Sequence, residues 1–429
     1  MNDALRGLER QLIHPGAKGL ALQQPLRQDE IAALGLNVLD GRLSYPVAVL
    51  RQSTLDHNIA WMREFVERAD ALLAPHGKTT MSPQLFQAQL DAGAWAITLA
   101  TIPQLRVAHR FGVKRVLLAN QPVAMADIES LAALLRDEAD FQAWVLVDSS
   151  AGAARLNQVM QQLAPQRRLP VLVELGAQGG RSGVRGADAA LELAREIHAA
   201  SHLSLAGIEG YEGLWVGADR ADDLRRVQDL LAQMVELTRR CDAQGLFDGE
   251  EILLSAGGSA YFDFVARAFA GLRDTSRPLR RVLRSGCYLT SDHGFYHGLQ
   301  QEMRTRHDAS FRHGLQPALE VWAMVQSRPE PGLALLTLGK RDASYDIDLP
   351  RPLSWHRPGE TAPRPMRGTR IVKMNDQHAY LELPPEHPLQ VGDLVATGIS
   401  HPCTTFDKWP LMLLTDDHYR VTGAINTFF

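Results

Sequence analysis

The chain is short of cysteine, of long apolar runs and of any excess of one charge. It holds 3 cysteines in 429 residues, Cys241, Cys287 and Cys403. An odd and widely separated set gives no disulfide framework, and a reducing cytoplasm is the expected compartment. No apolar run approaches the roughly 18 residues that a bilayer-spanning helix needs. The leading MNDALRGLERQLIHPG carries charges of both signs and lacks the apolar centre of a secretory signal. Against 45 basic residues stand 49 acidic ones, a formal net charge of −4 with no Lys/Arg run, so neither nucleic acid nor an anionic membrane is an expected partner. Apolar residues at 45% and charged residues at 22% are ordinary for a soluble globular chain. That excludes disordered, collagen-like and coiled-coil proteins. The length allows up to three domains, although an α/β barrel alone uses about 250 residues.

From Tyr45 onward short apolar runs alternate with amphipathic stretches. PVAVL (46–50) reads as a strand, and Leu55, Ile59, Met62 and Val66 share one face of the helix that follows. Eight strand candidates then succeed one another: 71–78, 96–102, 115–120, 143–148, 171–176, 205–211, 252–258 and 281–289, with helical patterns between. Eight β–α units over about 220 residues have the rhythm of a (β/α)8 barrel. An open doubly wound sheet gives the same local alternation, so periodicity alone does not close the sheet. After about residue 300 short β-like runs follow one another with few helical patterns. The expected organisation is α/β: a polar extension over 1–44, a barrel over 45–300 and a β domain over 301–429, with PVAVL a candidate to join the β sheet.

Chemistry-bearing residues gather at the expected ends of barrel strands. PHGKTT places Lys78 at the end of the first, where barrel enzymes carry catalytic groups. A lysine desolvated there forms a Schiff base; an exposed one is a solvated strand end. His76, two residues earlier, falls on the same strand face. SAGGS (255–259) ends the seventh strand, and Gly257, Gly258 and Ser259 occupy the position where barrels hold a phosphate; an ordinary βα turn capped by Ser259 has the same pattern. Arg181 lies in the glycine-rich GAQGGRSGVR after the fifth strand, and Tyr211 ends the sixth. Either could meet a ligand, or be a surface arginine and a tyrosine plugging the barrel. In SHPCTTFDKW, His401 and Cys403 point the same way on an extended chain, and imidazole with thiolate suits zinc. His293 and His297 form a competing i,i+4 pair, but Gly294 makes a helix there doubtful.

Assembled, these segments resemble the D-serine dehydratase and D-threonine aldolase family, pyridoxal-phosphate (PLP) enzymes of the alanine-racemase fold. The resemblance runs from about Tyr45 to the C-terminus. PHGKT resembles the family's PHxKT, which implies that Lys78 is the Schiff-base lysine. SAGGS resembles its phosphate cradle, and RSGCY (284–288) the loop that also meets the phosphate, through Gly286, Cys287 and Tyr288. GGRSGV resembles the loop that sets an arginine, here Arg181, against the cofactor. HPCTTFDKW resembles the metal motif, with His401 and Cys403 as ligands. QHAY (377–380) resembles a segment with a histidine near the site, here His378. The aldolase-like branch carries aspartate where this chain has Cys403, so the resemblance favours a zinc-dependent dehydratase that converts D-serine, or a related D-3-hydroxy amino acid, into a 2-oxo acid and ammonia. A D-threonine aldolase, a non-catalytic PLP carrier and a barrel aldolase working without PLP are the alternatives. Fold relatives complete their sites across a dimer, so a homodimer is expected by analogy.

Overall fold

The runs rich in Val, Leu and Ile become parallel strands because both their faces are covered, one by the barrel interior and one by helices. The computed structural model describes residues 3–163, 167–217, 219–306 and 313–429. Strands Leu72–Leu73, Ile97–Leu99, Arg115–Leu118, Gln142–Val147, Leu169–Gly176, Leu203–Gly210, Ile252–Ala256 and Leu279–Leu283 pair in chain order, all parallel. The last pairs with the first, Val282 opposite Leu72 and Leu283 opposite Leu73. The first reaches the second through a bridge between His76 and Thr98, with Trp95 N donating to Leu73 O at 2.7 Å. The ring is therefore closed, and the barrel rather than the open sheet is the architecture. Helices cover it with apolar stripes of the expected period. Met125–Asp137 buries Ile128, Leu131, Ala132, Leu134 and Leu135. Thr101 starts Ile102–Arg110 by accepting from Gln104 N at 3.3 Å.

Two strand ends differ from expectation. The first strand does not extend to Lys78. Pro75 has no N–H to give a neighbour, and the chain turns into one turn of 3-10 helix, Gly77–Thr79. The last strand stops at Leu283, so RSGCY is a loop.

The chain forms two compact units, one of residues 62–78 and 89–286 and the other of 1–61, 79–88 and 287–429. These boundaries do not fall at 44 and 300. The second unit carries a 10-stranded sheet. PVAVL lies inside it: Val47–Arg51 pairs antiparallel with Leu319–Trp322 and parallel with Leu413–Thr415. The N-terminal segment is not a polar appendage either. Ile13, Leu20, Ile31, Val38 and Leu43 share one apolar core with Val47, Val49, Trp322, Leu394, Leu413 and Val421. Lys18 fixes the segment further, with Nζ 2.7 Å from Asp342 and 3.8 Å above the Trp409 ring. These apolar residues follow neither a two-residue nor a 3.6-residue period, so no periodic pattern reveals them.

Barrel register depends on one glycine. The pairing of Leu203–Gly210 with Leu169–Gly176 slips between Leu205 and Gly207. A Cβ on Gly207 would lie 1.8 Å from Leu253 O on the other neighbouring strand. Backbone on both sides leaves it nowhere to go. Gly207→Ala is expected to cost about 1–3 kcal/mol, read as a lower urea midpoint in circular dichroism.

Candidate active site

Inside the barrel stand buried charged side chains, and the best-defined of them are paired. Arg284, 4% exposed, pairs with Glu209, which is 2% exposed. Its other bonds go to Ser255 Oγ at 3.2 Å and Gly210 O at 3.0 Å. Glu174 accepts from Ser182 Oγ at 2.8 Å and from Gln121 Nε2. Burial outweighs Arg284 and, with Glu174 nearby, raises the Glu209 carboxyl to about 7. The same interior holds the His76 imidazole well below its usual range, through burial first and then the Lys78, Arg284 and Arg181 cations. His76 therefore stays neutral. Its Nδ1 and Glu209 Oε2 are buried without a hydrogen-bond partner, which is what a site awaiting a polar ligand shows.

The loop carrying Arg181 is built by two glycines and a second arginine. Gly183 adopts a left-handed φ of +94°, and a Cβ there would strike Gly176 N at 2.4 Å. Arg185 reaches over this close approach to the carbonyls of Gly180, Arg181, Ser182 and Gly183 at 2.6–3.0 Å. Arg181 itself lies over the Tyr211 ring, 5.0 Å from its centroid. So Arg181 and Tyr211 come together, as a cation–π pair.

The SAGGS turn differs in detail from a simple phosphate cradle. Gly257 N and Gly258 N donate to the buried carboxylate of Glu212 at 3.0 and 2.7 Å. Burial pushes Glu212 up from its usual value. A Cβ on Gly258 would meet the Tyr211 ring at 2.8 Å, so the turn lies close against that tyrosine. Ser259 does not cap the following helix, Phe262–Ala270, whose N-cap position is Tyr261. Gly286 is buried in the loop after the last strand. An amine at Lys78, a neutral imidazole with an orphaned nitrogen, and a guanidinium over an aromatic ring fit the ring and aldehyde of PLP.

The second unit gathers a different chemistry. The extended register expected of His401 and Cys403 is absent: Pro402 is helical (φ −58°, ψ −44°) and Cys403 opens a short helix, Cys403–Phe406. The two residues still flank one corner of the chain, on either side of Pro402. His401 Nδ1 lies 2.5 Å from Asp346 Oδ2, and Asp346 Oδ1 accepts from Thr404 Oγ1 at 2.8 Å. A carboxylate on Nδ1 fixes the tautomer and leaves Nε2 to a metal. Burial opposes charging His401, but Cys403 and Asp346 bring it up to about 9. Hydrogen bonding from Cys287, and then from His401, holds the Cys403 thiol well below its usual value. Nitrogen and sulfur donors, the imidazole backed by a carboxylate, fit zinc. Cys287 lies in this cluster, its sulfur 3.7 Å from that of Cys403, and Thr79 Oγ1 is 3.4 Å from Cys403 Sγ. Tyr288 is buried beside it in sequence.

The competing histidines are placed otherwise. His293 precedes the helix Phe295–Arg306 and fills the space over Gly398, while His297 lies on that helix beside Gln301. His378 sits at a hairpin turn, its carbonyl accepting from Asn375 N at 2.8 Å. Among the described residues no three His, Cys, Asp or Glu side chains stand gathered as a ready metal cage. Sequence reasoning missed Glu174, Glu209, Glu212, Arg284, Arg185 and Asp346. Glu174 and Glu209 had a signal, a lone acid inside an apolar barrel strand.

Known proteins resemble the chain over most of its length. The model for the alanine racemase N-terminal domain matches residues 50–278, and that for the serine dehydratase domain matches residues 318–415. 3-Hydroxy-D-aspartate aldolase from Paracoccus denitrificans is 26% identical over 316 residues, 72% of this chain and 76% of that protein. Among solved structures, D-threonine aldolase from Filomicrobium marinum superposes with a TM-score of 0.74 at 22% identity, covering 92% of this chain and 97% of that one. D-threo-3-hydroxyaspartate dehydratase from Delftia sp. HT23 gives 0.71 at 22% identity, covering 90% and 98%. A cysteine-to-alanine mutant of a dehydratase of that name, in a metal-free form, gives 0.70.

The Glu209 environment has a consequence for pH. Folded Glu209 binds its proton at about 7, against 4.5 for an ordinary glutamate in water. Between these values the folded chain binds more protons, so this contribution to stability is complete below 4.5 and lost as the pH rises through 7. Glu209→Gln is expected to flatten that slope in urea midpoints measured from pH 5 to 8.

Proposed function

The chain belongs to the alanine-racemase family of PLP-barrel proteins, which its barrel matches over residues 50–278, and from that premise we propose that it is a PLP- and zinc-dependent lyase deaminating D-serine or a related D-3-hydroxy amino acid. The observation that carries the reading is His401, oriented by Asp346 and set one helical residue from the Cys403 thiol. A PLP carrier has no use for such a donor pair, whereas loss of a β-hydroxyl does. PLP, when bound, accepts the electron pair left at Cα, and a divalent ion withdraws charge from the β-oxygen.

The chain's own groups supply the rest. Lys78 Nζ would hold PLP and, as a free amine, would take the Cα proton of the substrate. Its position on one face of the planar carbon gives a one-sided proton transfer, and the family relationship supports the D sense. Arg181, held by the Arg185 clamp and stacked on Tyr211, orients the ring. Neutral His76 offers a hydrogen bond without adding charge. His401 and Cys403 hold the ion, and Asp346 fixes the imidazole. Loss of the hydroxyl followed by hydrolysis yields a 2-oxo acid and ammonia. The cysteine at position 403 supports this outcome, since its softer sulfur suits zinc. A second reading is favoured by the aldolases among the relatives: the same groups would deprotonate the β-hydroxyl and release glycine and an aldehyde.

Two results test this. Purified protein given D- and L-forms of serine, threonine and 3-hydroxyaspartate is expected to release 2-oxo acid and ammonia from D-forms only, and Lys78→Ala to lower that rate on the order of 10²–10⁴-fold with loss of the visible absorbance of bound PLP. Glycine plus aldehyde as the products would establish the aldolase. Chelation is expected to stop turnover while the PLP absorbance remains, and zinc to restore it. An unchanged rate after metal removal would end the metal-dependent reading.

A further inference from the structure

We propose that Cys287 is a third protein ligand of the metal, so that this chain holds zinc through two thiolates and one imidazole. The inference rests on the reading that His401 and Cys403 bind a divalent ion, and it adds a donor that the resemblance places elsewhere, at the cofactor phosphate. The argument is geometric. Zinc–thiolate bonds are about 2.3 Å long and four-coordinate zinc is tetrahedral, which sets two thiolates on one ion about 3.8 Å apart. The sulfurs of Cys287 and Cys403 are 3.7 Å apart.

The surroundings suit two thiolates and an ion. Thr79 Oγ1 lies 3.4 Å from Cys403 Sγ and 3.9 Å from Cys287 Sγ, a hydroxyl placed to donate to either sulfur. One edge of a Cys–Cys–His triangle, that between the sulfurs, is already formed, and His401 stands at the other side of Pro402 from Cys403. The edges to His401 would close on an arriving ion, since metal binding couples to local structure. Three protein donors leave a tetrahedral ion one open position, the number a catalytic zinc keeps for water or substrate. A second thiolate also makes the site softer than a His–Cys pair and disfavours manganese and magnesium.

Cobalt(II) substitution of the full-length chain tests the count of sulfurs directly. Protein stripped by chelator and reloaded with cobalt is expected to show a sulfur-to-cobalt charge-transfer band. Per bound cobalt, that band should fall by about half in Cys287→Ser, and zinc affinity in chelator competition should fall at least about tenfold. Cys241→Ser, whose thiol is buried in a barrel helix, should keep the full band. Cys287→Asp keeps three donors but only one sulfur; it should retain metal with half the band, which covers the case where the serine variant fails to fold. A wild-type band no stronger than that of Cys287→Ser or Cys287→Asp would overturn the inference while leaving the His401–Cys403 site standing. Failure of the wild-type chain to bind zinc or cobalt at all would overturn both.

Discussion

A guanidinium enclosed in a parallel barrel has to be neutralised where it stands, and much of the barrel's chemistry follows from how Arg284 meets that demand. Its charge faces Glu209, and its remaining donors fall on Ser255 and Gly210. Its backbone joins the first and seventh strand ends, its carbonyl accepting from His76 N at 3.2 Å and its N–H donating to Gly257 O at 3.2 Å. One residue thus ties the segment that leads to Lys78 to the glycine turn. Removing either partner of the pair would leave a buried charge alone, a loss of about 3–5 kcal/mol. The same cation helps keep His76 neutral, so structural and chemical roles coincide.

The second unit orders a different cluster, around Cys403. Cys403 is placed by a helix start, and His401 by a carboxylate that is itself fixed by Thr404. The imidazole lies against a carboxylate, and the Cys403 sulfur against that of Cys287. That is why His401 and Cys403 move in opposite directions from their ordinary pKa values.

The eight-strand rhythm was legible because strand and helix periods alternate without interruption from about residue 70 to 283, and closure follows from pairing that periodicity cannot express. Lys78, Arg181 and the His-x-Cys pair were legible as residue types in telling places. Their local geometry was not. Pro75 turns the chain before Lys78, and Pro402 makes a helical corner of what alternation reads as a strand. Asp346 and Cys287 come to His401 and Cys403 from distant chain segments, so no local window contains the cluster. The first forty residues misled for a related reason: their apolar side chains enter the core singly, from loops.

That last feature bears on how the protein is made. The core around Trp322 joins Ile13, Leu20, Ile31 and Leu43 to Leu394, Leu413 and Val421. During translation at about 5–20 residues per second, the early group waits on the order of 20–70 s for its partners. The barrel residues 62–286 emerge in that interval and can close first. Until then the leading apolar side chains are exposed on the nascent chain, where a ribosome-associated chaperone has its longest access.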